Sequence, residues 1–195
     1  IVLFVVKETA NGKKYFDCDW IYDLESYPNV FTMTIIHASG KHLRQYEISD
    51  RKNDTEDLIK CLRYLVKEKK RMVGFNNNSY DYTLIHEIIT ELVSAKEEKR
   101  IPKIEAKNLY RLTTTIIKKM QESDGKWYGI KDQDHYIKQV DLYKIHHFDN
   151  KAKATSLKML EVNMRSENVE DLPFPSGRNL HRMKLMSCWC IISTT

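Results

Sequence analysis

No stretch of this chain reaches the eighteen or so consecutive apolar residues that a membrane-spanning helix needs, so no span is expected. The apolar opening Ile1-Val2-Leu3-Phe4-Val5-Val6 is too short to cross. It also lacks the basic flank and the small-residue cleavage site of a secretory signal. An initiator Met is missing too, and the chain is therefore expected to begin inside a longer reading frame. Cysteine is sparse and unpatterned: Cys18, Cys61, Cys188 and Cys190 are scattered, and Cys188-Trp189-Cys190 is C-x-C rather than the C-x-x-C of zinc and redox sites. Reduced thiols in the cytoplasm are the expectation. Repeats and low-complexity segments are absent. So is a decisive charge of one sign. The net charge is +5, but Arg178, Arg182 and Lys184 fall in a final stretch without any acid, and charge alone names no partner.

What is present is ordinary globular material, 42% hydrophobic and 30% charged over 195 residues, a one-domain length able to bury a core. From Asp19 to Asp50 the pattern is strand-like. Trp20 to Tyr22, Val30 to Ile36 and Leu43 to Ile48 are extended runs, separated by the turn signals Ser26-Tyr27-Pro28-Asn29 and Ser39-Gly40-Lys41. Together they predict an antiparallel meander. Asn53 to Lys70 predicts a helix with a capping box of Asn53 and Glu56, and with Leu58, Leu62, Leu65 and Val66 on one face. Met72 to Phe75 reads as a short buried strand. A helix marked by Leu84, Ile85, Ile88, Ile89, Leu92 and Val93 follows, then a third from Ile104 to Gln121. His135 to Leu142 is a further strand and Ser156 to Met164 a last helix. The order predicts an α/β protein with a mixed sheet, three antiparallel strands plus parallel ones, flanked by helices. That is the order of the ribonuclease H-like fold.

Two short motifs carry chemistry. Asp23-Leu24-Glu25 stands at the end of the first predicted strand, where the two-residue period sends both carboxylates to one side. Acids held that close repel unless a cation lies between them, and hard Mg²⁺ or Mn²⁺ prefers such oxygen ligands. A solvated strand end would look the same. The second motif, Gly74-Phe75-Asn76-Asn77-Asn78-Ser79-Tyr80-Asp81, joins a strand to a helix. It places Asp81 at a helix N-terminus, where backbone N–H groups favour negative charge. Asn77 can hydrogen-bond a sugar or phosphate, and Tyr80 offers a face on which a base can stack. Read alone, the same stretch is a turn with Asp81 as cap and Tyr80 as core filler.

In this order the pair resembles the 3′→5′ proofreading exonuclease domain of DNA polymerases, within the DEDD nuclease superfamily, and most nearly that of phage-type, family-B-like polymerases. Asp23 and Glu25 match its D-x-E motif, and Asn77 to Asp81 its N-x-x-x-D motif. Ser26, Asn76 and Tyr80 stand where those proteins contact a single-stranded 3′ end. Asp141 to Ile145 and Ser156 to Leu160 resemble the stretch before the family's third motif. The resemblance covers about residues 18 to 175. It implies a two-metal exonuclease using Mg²⁺ or Mn²⁺, in which Asp23 bridges both ions, Glu25 holds the first and Asp81 reaches the second. It also implies single-stranded DNA as partner, release of nucleoside monophosphates, and a polymerase domain in the same or a separate chain.

The family's third motif, a helical Y-x-x-x-D, should follow Pro175 and does not. Residues 178–195 change composition abruptly and are expected to be an out-of-frame tail, leaving residues 1–177 as an incomplete domain. Beginning each codon at the third base of the preceding one permits F-T-Q-D-E-I-D-E-L-L-V-Y-N-K-H-D from Asn179 onward, an acidic amphipathic segment ending in Y-x-x-x-D. Tyr128-Gly129-Ile130-Lys131-Asp132 also spells that motif, but it lies beside a turn and before the last predicted strand. The adjacent His146-His147 cannot both face one ion on a regular element and are expected at a surface or loop. The runs 67–71 and 97–100 are expected as solvated helix ends, and Lys151, Lys153 and Lys158 as ordinary surface lysines. The competing reading is a ribonuclease H-like domain that holds single-stranded nucleic acid without cutting it; such a binder would be expected to carry more positive charge. Sequencing the gene from the Pro175 codon past Thr195 is expected to show a shifted frame that stays open and encodes the Y-x-x-x-D helix. A shifted frame that closes at once would make the tail authentic.

Overall fold

The computed structural model describes residues 17–123, 129–147, 156 and 159. The expected tail, Tyr128, Lys151, Lys153, Lys158 and all but two residues of the helix expected over 156–164 lie outside the described residues.

The meander forms as β1 (Asp19–Tyr27), β2 (Val30–His37) and β3 (Arg44–Ser49). One boundary differs in a way that matters for function. β1 runs past Tyr22, so Asp23 and Glu25 sit within the strand, opposite Thr34 and Thr32 of β2, rather than at its end. A hydrogen-bonded ladder therefore fixes their backbone.

The first helix, α1 (Thr55–Lys67), starts without the capping box. Asn53 Oδ1 instead accepts from the Thr55 backbone N–H at 3.1 Å and from its hydroxyl. Asp54 occupies the cap position, but its carboxylate accepts from the Glu47 N–H at 3.0 Å and so ties the helix start to β3. Leu58, Leu62 and Leu65 are fully buried, each contributing about 1.5–3 kcal/mol by leaving water. Val66, expected beside them, is 38% exposed, since each residue turns the helix by about 100°.

β4 (Arg71–Gly74) pairs in parallel with β1, and β5 (Lys138–Asp141) in parallel with β4. The sheet order is β3-β2-β1-β4-β5. Between β4 and β5 run α2 (Asp81–Glu97) and α3 (Ala106–Glu122), and α4 (Leu142–His146) follows β5. The last strand is shorter than its apolar pattern suggested. A 3₁₀ turn at Asp132–Asp134 precedes it, and the Tyr82 hydroxyl takes the Ile137 N–H at 3.1 Å. The protein is thus α/β, with a mixed antiparallel and parallel sheet flanked by helices.

The pairing registers sort side chains by face. Trp20, Tyr22 and Leu24 share one face with Met33, Ile35 and Tyr46 and belong to the main core cluster, with α1 alongside through a Trp20–Tyr64 edge contact at 6.1 Å. Ile21, Asp23 and Glu25 point to the other face, with Thr34 and Ile36, while α3 packs against β1 and β2. Arg71, expected as a solvated charge, instead forks onto Asp19 at 2.6 and 2.8 Å and pins β4 to the start of β1. Arg100, in the other charge run, is likewise held by Glu91 and Glu98.

Candidate active site

In open α/β sheets ligands gather beyond the carboxyl ends of the parallel strands. Here β4 ends at Gly74 and β5 at Asp141, opposite each other, while β1 extends further and carries Asp23 and Glu25 past them. The chain leaves β4 through Asn76, which adopts a left-handed conformation at φ 56°, a region Asn tolerates better than most residues. It then makes a 3₁₀ turn at Asn77–Ser79 and enters α2 at Asp81. Asp81 is the first residue of that helix, where unsatisfied N–H groups and the helix dipole favour a carboxylate.

The three acids share one electrostatic neighbourhood. Burial, and then the Asp23 charge, push the Glu25 carboxyl up to about 7. Asp81 is raised well above the ordinary aspartate value, first by burial and then by Asp23, with Glu25 and Asp141 adding to it. Burial by the surrounding atoms also raises Asp23, but the residue itself is exposed in β1, so solvent screening tempers that shift. No Lys, Arg or His side chain forms a salt bridge with any of the three among the described residues. Because the folded-state pKa of Glu25 is raised, its contribution to stability is fully present below about 4.5 and is lost as pH rises through about 7. At neutral pH and above, the folded site therefore holds unfavourable negative charge.

The donor chemistry, all carboxylate oxygen, suits a hard divalent ion. Among the described residues, however, no three His, Cys, Asp or Glu side chains are gathered closely enough to enclose one. The fit therefore rests on donor type and a shared uncompensated field, not on a preformed cage.

The expected substrate contacts divide. Asn76 and Tyr80 are half-buried, and Tyr80 lies within the field of Asp81, Glu25 and Asp23 while its ring packs against the core. Asn77 and Ser26 do not take the places expected of them. Asn77 is 1% exposed, and its amide nitrogen donates to the Tyr22 hydroxyl at 3.2 Å and to Gln139 Oε1 at 2.9 Å. It braces the turn from inside. The β1 pleat places Ser26 on the Leu24 face, opposite Phe31 and away from Asp23 and Glu25, with its Oγ buried. The D-x-E spacing implies that face assignment for any residue three places after Asp23.

Two residues that hold this loop were not singled out as site residues from the sequence. Asp141, 6% exposed, accepts from the Asn76 N–H at 2.9 Å and the Tyr143 N–H at 3.0 Å, with the Asn78 N–H at 3.4 Å from its second oxygen. One carboxylate thus fixes the strained Asn76 and caps α4. Gly129, at φ +68°, presses so close that a Cβ there would lie 2.0 Å from the Asn78 carbonyl oxygen. Neither role has a local sequence signature, since both depend on segments far apart in the chain. Elsewhere, His146 is exposed and His147 lies in the turn that ends α4, the surface and loop positions expected of the pair, though His147 is covered. It is 9% exposed, stacks on Tyr143 at 4.1 Å and bonds the Tyr143 carbonyl, ending α4. Asp132, the acid of the rival Y-x-x-x-D, has an 89% exposed side chain in its turn.

No family model matches the chain, nor does any curated protein or solved structure.

Replacing Asp141 by Ala strands the N–H groups of Asn76 and Tyr143 and is expected to cost about 2–4 kcal/mol in urea denaturation. Amide hydrogen exchange at residues 76–78 should accelerate more than exchange in α1. Equal change in both places would mean that Asp141 supports the fold generally rather than this loop.

Proposed function

We propose that the chain is the ribonuclease H-like core of a two-metal 3′→5′ exonuclease that removes nucleoside monophosphates from single-stranded DNA 3′ ends, as the proofreading part of a phage-type DNA polymerase or as a stand-alone replication enzyme. The observation that carries this reading is the shared field of Asp23, Glu25 and Asp81. Two of these acids come from same-face positions of β1 and one from the first residue of α2; burial first, and then the Asp23 charge, raise the Glu25 and Asp81 carboxyls. The sheet order β3-β2-β1-β4-β5 supports the fold assignment. A fold alone assigns no chemistry.

In this reading Asp23, Glu25 and Asp81 would hold Mg²⁺ or Mn²⁺. Bound there, the ions supply an activated water and stabilise the departing 3′ oxygen. The chain's own residues do the rest. The β1 ladder fixes two acids at a set spacing, and Asp141 and Asn77 hold the loop that delivers the third. Tyr80, beside all three, offers its ring to the terminal base, and Asn76 offers its side-chain amide to the strand. Residues 176–195 contain neither Tyr nor Asp, so they supply no Y-x-x-x-D and no fourth acid of the kind the resemblance calls for. The second reading, a single-strand-binding domain without catalysis, is favoured by one fact: the described acids are not gathered into a cage.

The test is shortening of a 5′-labelled single-stranded DNA oligonucleotide on a denaturing gel with Mg²⁺ or Mn²⁺. Two chains are compared, the chain as given and one carrying the shifted-frame Y-x-x-x-D segment after residue 178. The restored chain is expected to yield a ladder, and Asp23→Ala to reduce its rate by more than the roughly 100-fold that loss of a mere supporting residue costs. The chain as given should be weak or inactive. Strong Asp23-dependent activity from the chain as given would refute the need for the fourth acid. A silent restored chain that still binds the oligonucleotide would replace catalysis by binding.

A further inference from the structure

We propose that the groove between α1 and α2 is a docking site for an acidic amphipathic helix of a partner protein. The groove, about 260 Å³, is lined by Leu62, Arg63, Val66 and Lys67 of α1, by Ile89, Leu92, Val93 and Lys96 of α2, and by Tyr136. Its floor is Leu62, Ile89 and Leu92, all buried, while Val66, Val93 and Tyr136 stand 38–41% exposed along it. Val66 departs from the expected face of its helix, and Val93, one of the apolar residues that mark α2, is likewise left in water. Single exposed apolar residues need no explanation. Three of them edging one groove with a leucine and isoleucine floor form a contact surface.

The charges around it decide the occupant. Every charged side chain lining the groove is basic. Arg63 and Lys67 lie four residues apart on one side of α1, and Lys96 follows one turn after Val93 on α2, so cations flank the apolar strip on both walls. Arg63, Lys67 and Lys96 are exposed, and no described residue forms a salt bridge with any of them, whereas Arg71 and Arg100 are both paired. A second copy of this chain fits poorly, because two such grooves face to face would oppose six cations. Nucleic acid also fits poorly, because the lining between the cations is apolar and offers a phosphate chain no polar track. The complement is a helix with an apolar stripe and acids on both flanks, recognised by its i, i+3, i+4, i+7 anchors. The lining residues span about 7.5 Å along α1 and about 10.5 Å along α2, so a helix of about two turns suffices. This surface is independent of the exonuclease reading and stands or falls separately.

The experiment uses fluorescence anisotropy with two designed sixteen-residue peptides, both with leucines at i, i+3, i+4 and i+7. One carries glutamates on the flanks and the other lysines. The glutamate peptide is expected to bind the full chain, more weakly as salt rises. The double variant Arg63→Glu and Lys96→Glu should weaken it at least about tenfold and should instead bind the lysine peptide. Val93→Ser should weaken the glutamate peptide with the charges intact. All three positions are exposed, so circular dichroism should be unchanged. Lack of binding by the glutamate peptide, equal binding of both peptides to the unaltered chain, indifference to the charge reversal, or displacement of the peptide by single-stranded oligothymidine would each overturn the proposal.

Discussion

Like-charged carboxylates held together and partly withdrawn from water are the constraint around which the rest of this protein is arranged. Burial raises the cost of ionising all three, the Asp23 charge adds to it at Glu25 and Asp81, and the Glu25 charge adds to it at Asp81. Left to itself such a cluster would spread into solvent. Here β1 cannot release Asp23 and Glu25, because the ladder to β2 on one side and to β4 on the other fixes the strand that carries them. Asp81 is held by a helix start. The two-residue period of the strand and the charge preference of a helix N-terminus are ordinary physics, and together they put the three acids within one electrostatic field without gathering them into a cage.

The loop from Gly74 to Asp81 delivers the third acid, and it is braced from several sides. Asn76 sits in a left-handed conformation, and its N–H is taken by Asp141. Asn77 reaches inward to Tyr22 and Gln139, which are themselves bonded at 3.0 Å, so β1, the loop and β5 share one hydrogen-bond knot. Gly129 closes over Asn78 from outside. The knot is not fully satisfied: the Oδ1 atoms of Asn77 and Asn78 are buried without a partner in the structure.

Much of this was legible in the sequence, and the reasons are specific. The meander, the three long helices and the two acid motifs each announce themselves through local periodicity or turn residues. What stayed hidden depends on pairing between distant segments. The sequence places Asp23-Leu24-Glu25 at the end of the first strand, and only pairing with β2 shows that the strand runs on to Tyr27. Asn77 and Ser26 look like polar surface residues until the pleat and the β5 contact turn them inward. Asp141 looks like a strand end, yet it spans sixty-five residues to hold Asn76. The capping box failed for a related reason, since Asp54 is drawn to β3 instead.

Titration of the Glu25 side-chain carboxyl by carbon-13 NMR, with and without Mg²⁺, decides whether these acids share a field and an ion. Without the metal the midpoint is expected at about 7, against the ordinary 4.5. Saturating Mg²⁺ should pull that midpoint back to or below the ordinary value, because a cation among the three acids stabilises the ionised form. A midpoint near 4.5 that ignores Mg²⁺ would mean that these carboxylates neither crowd one another nor share an ion, and the account would be wrong at its foundation.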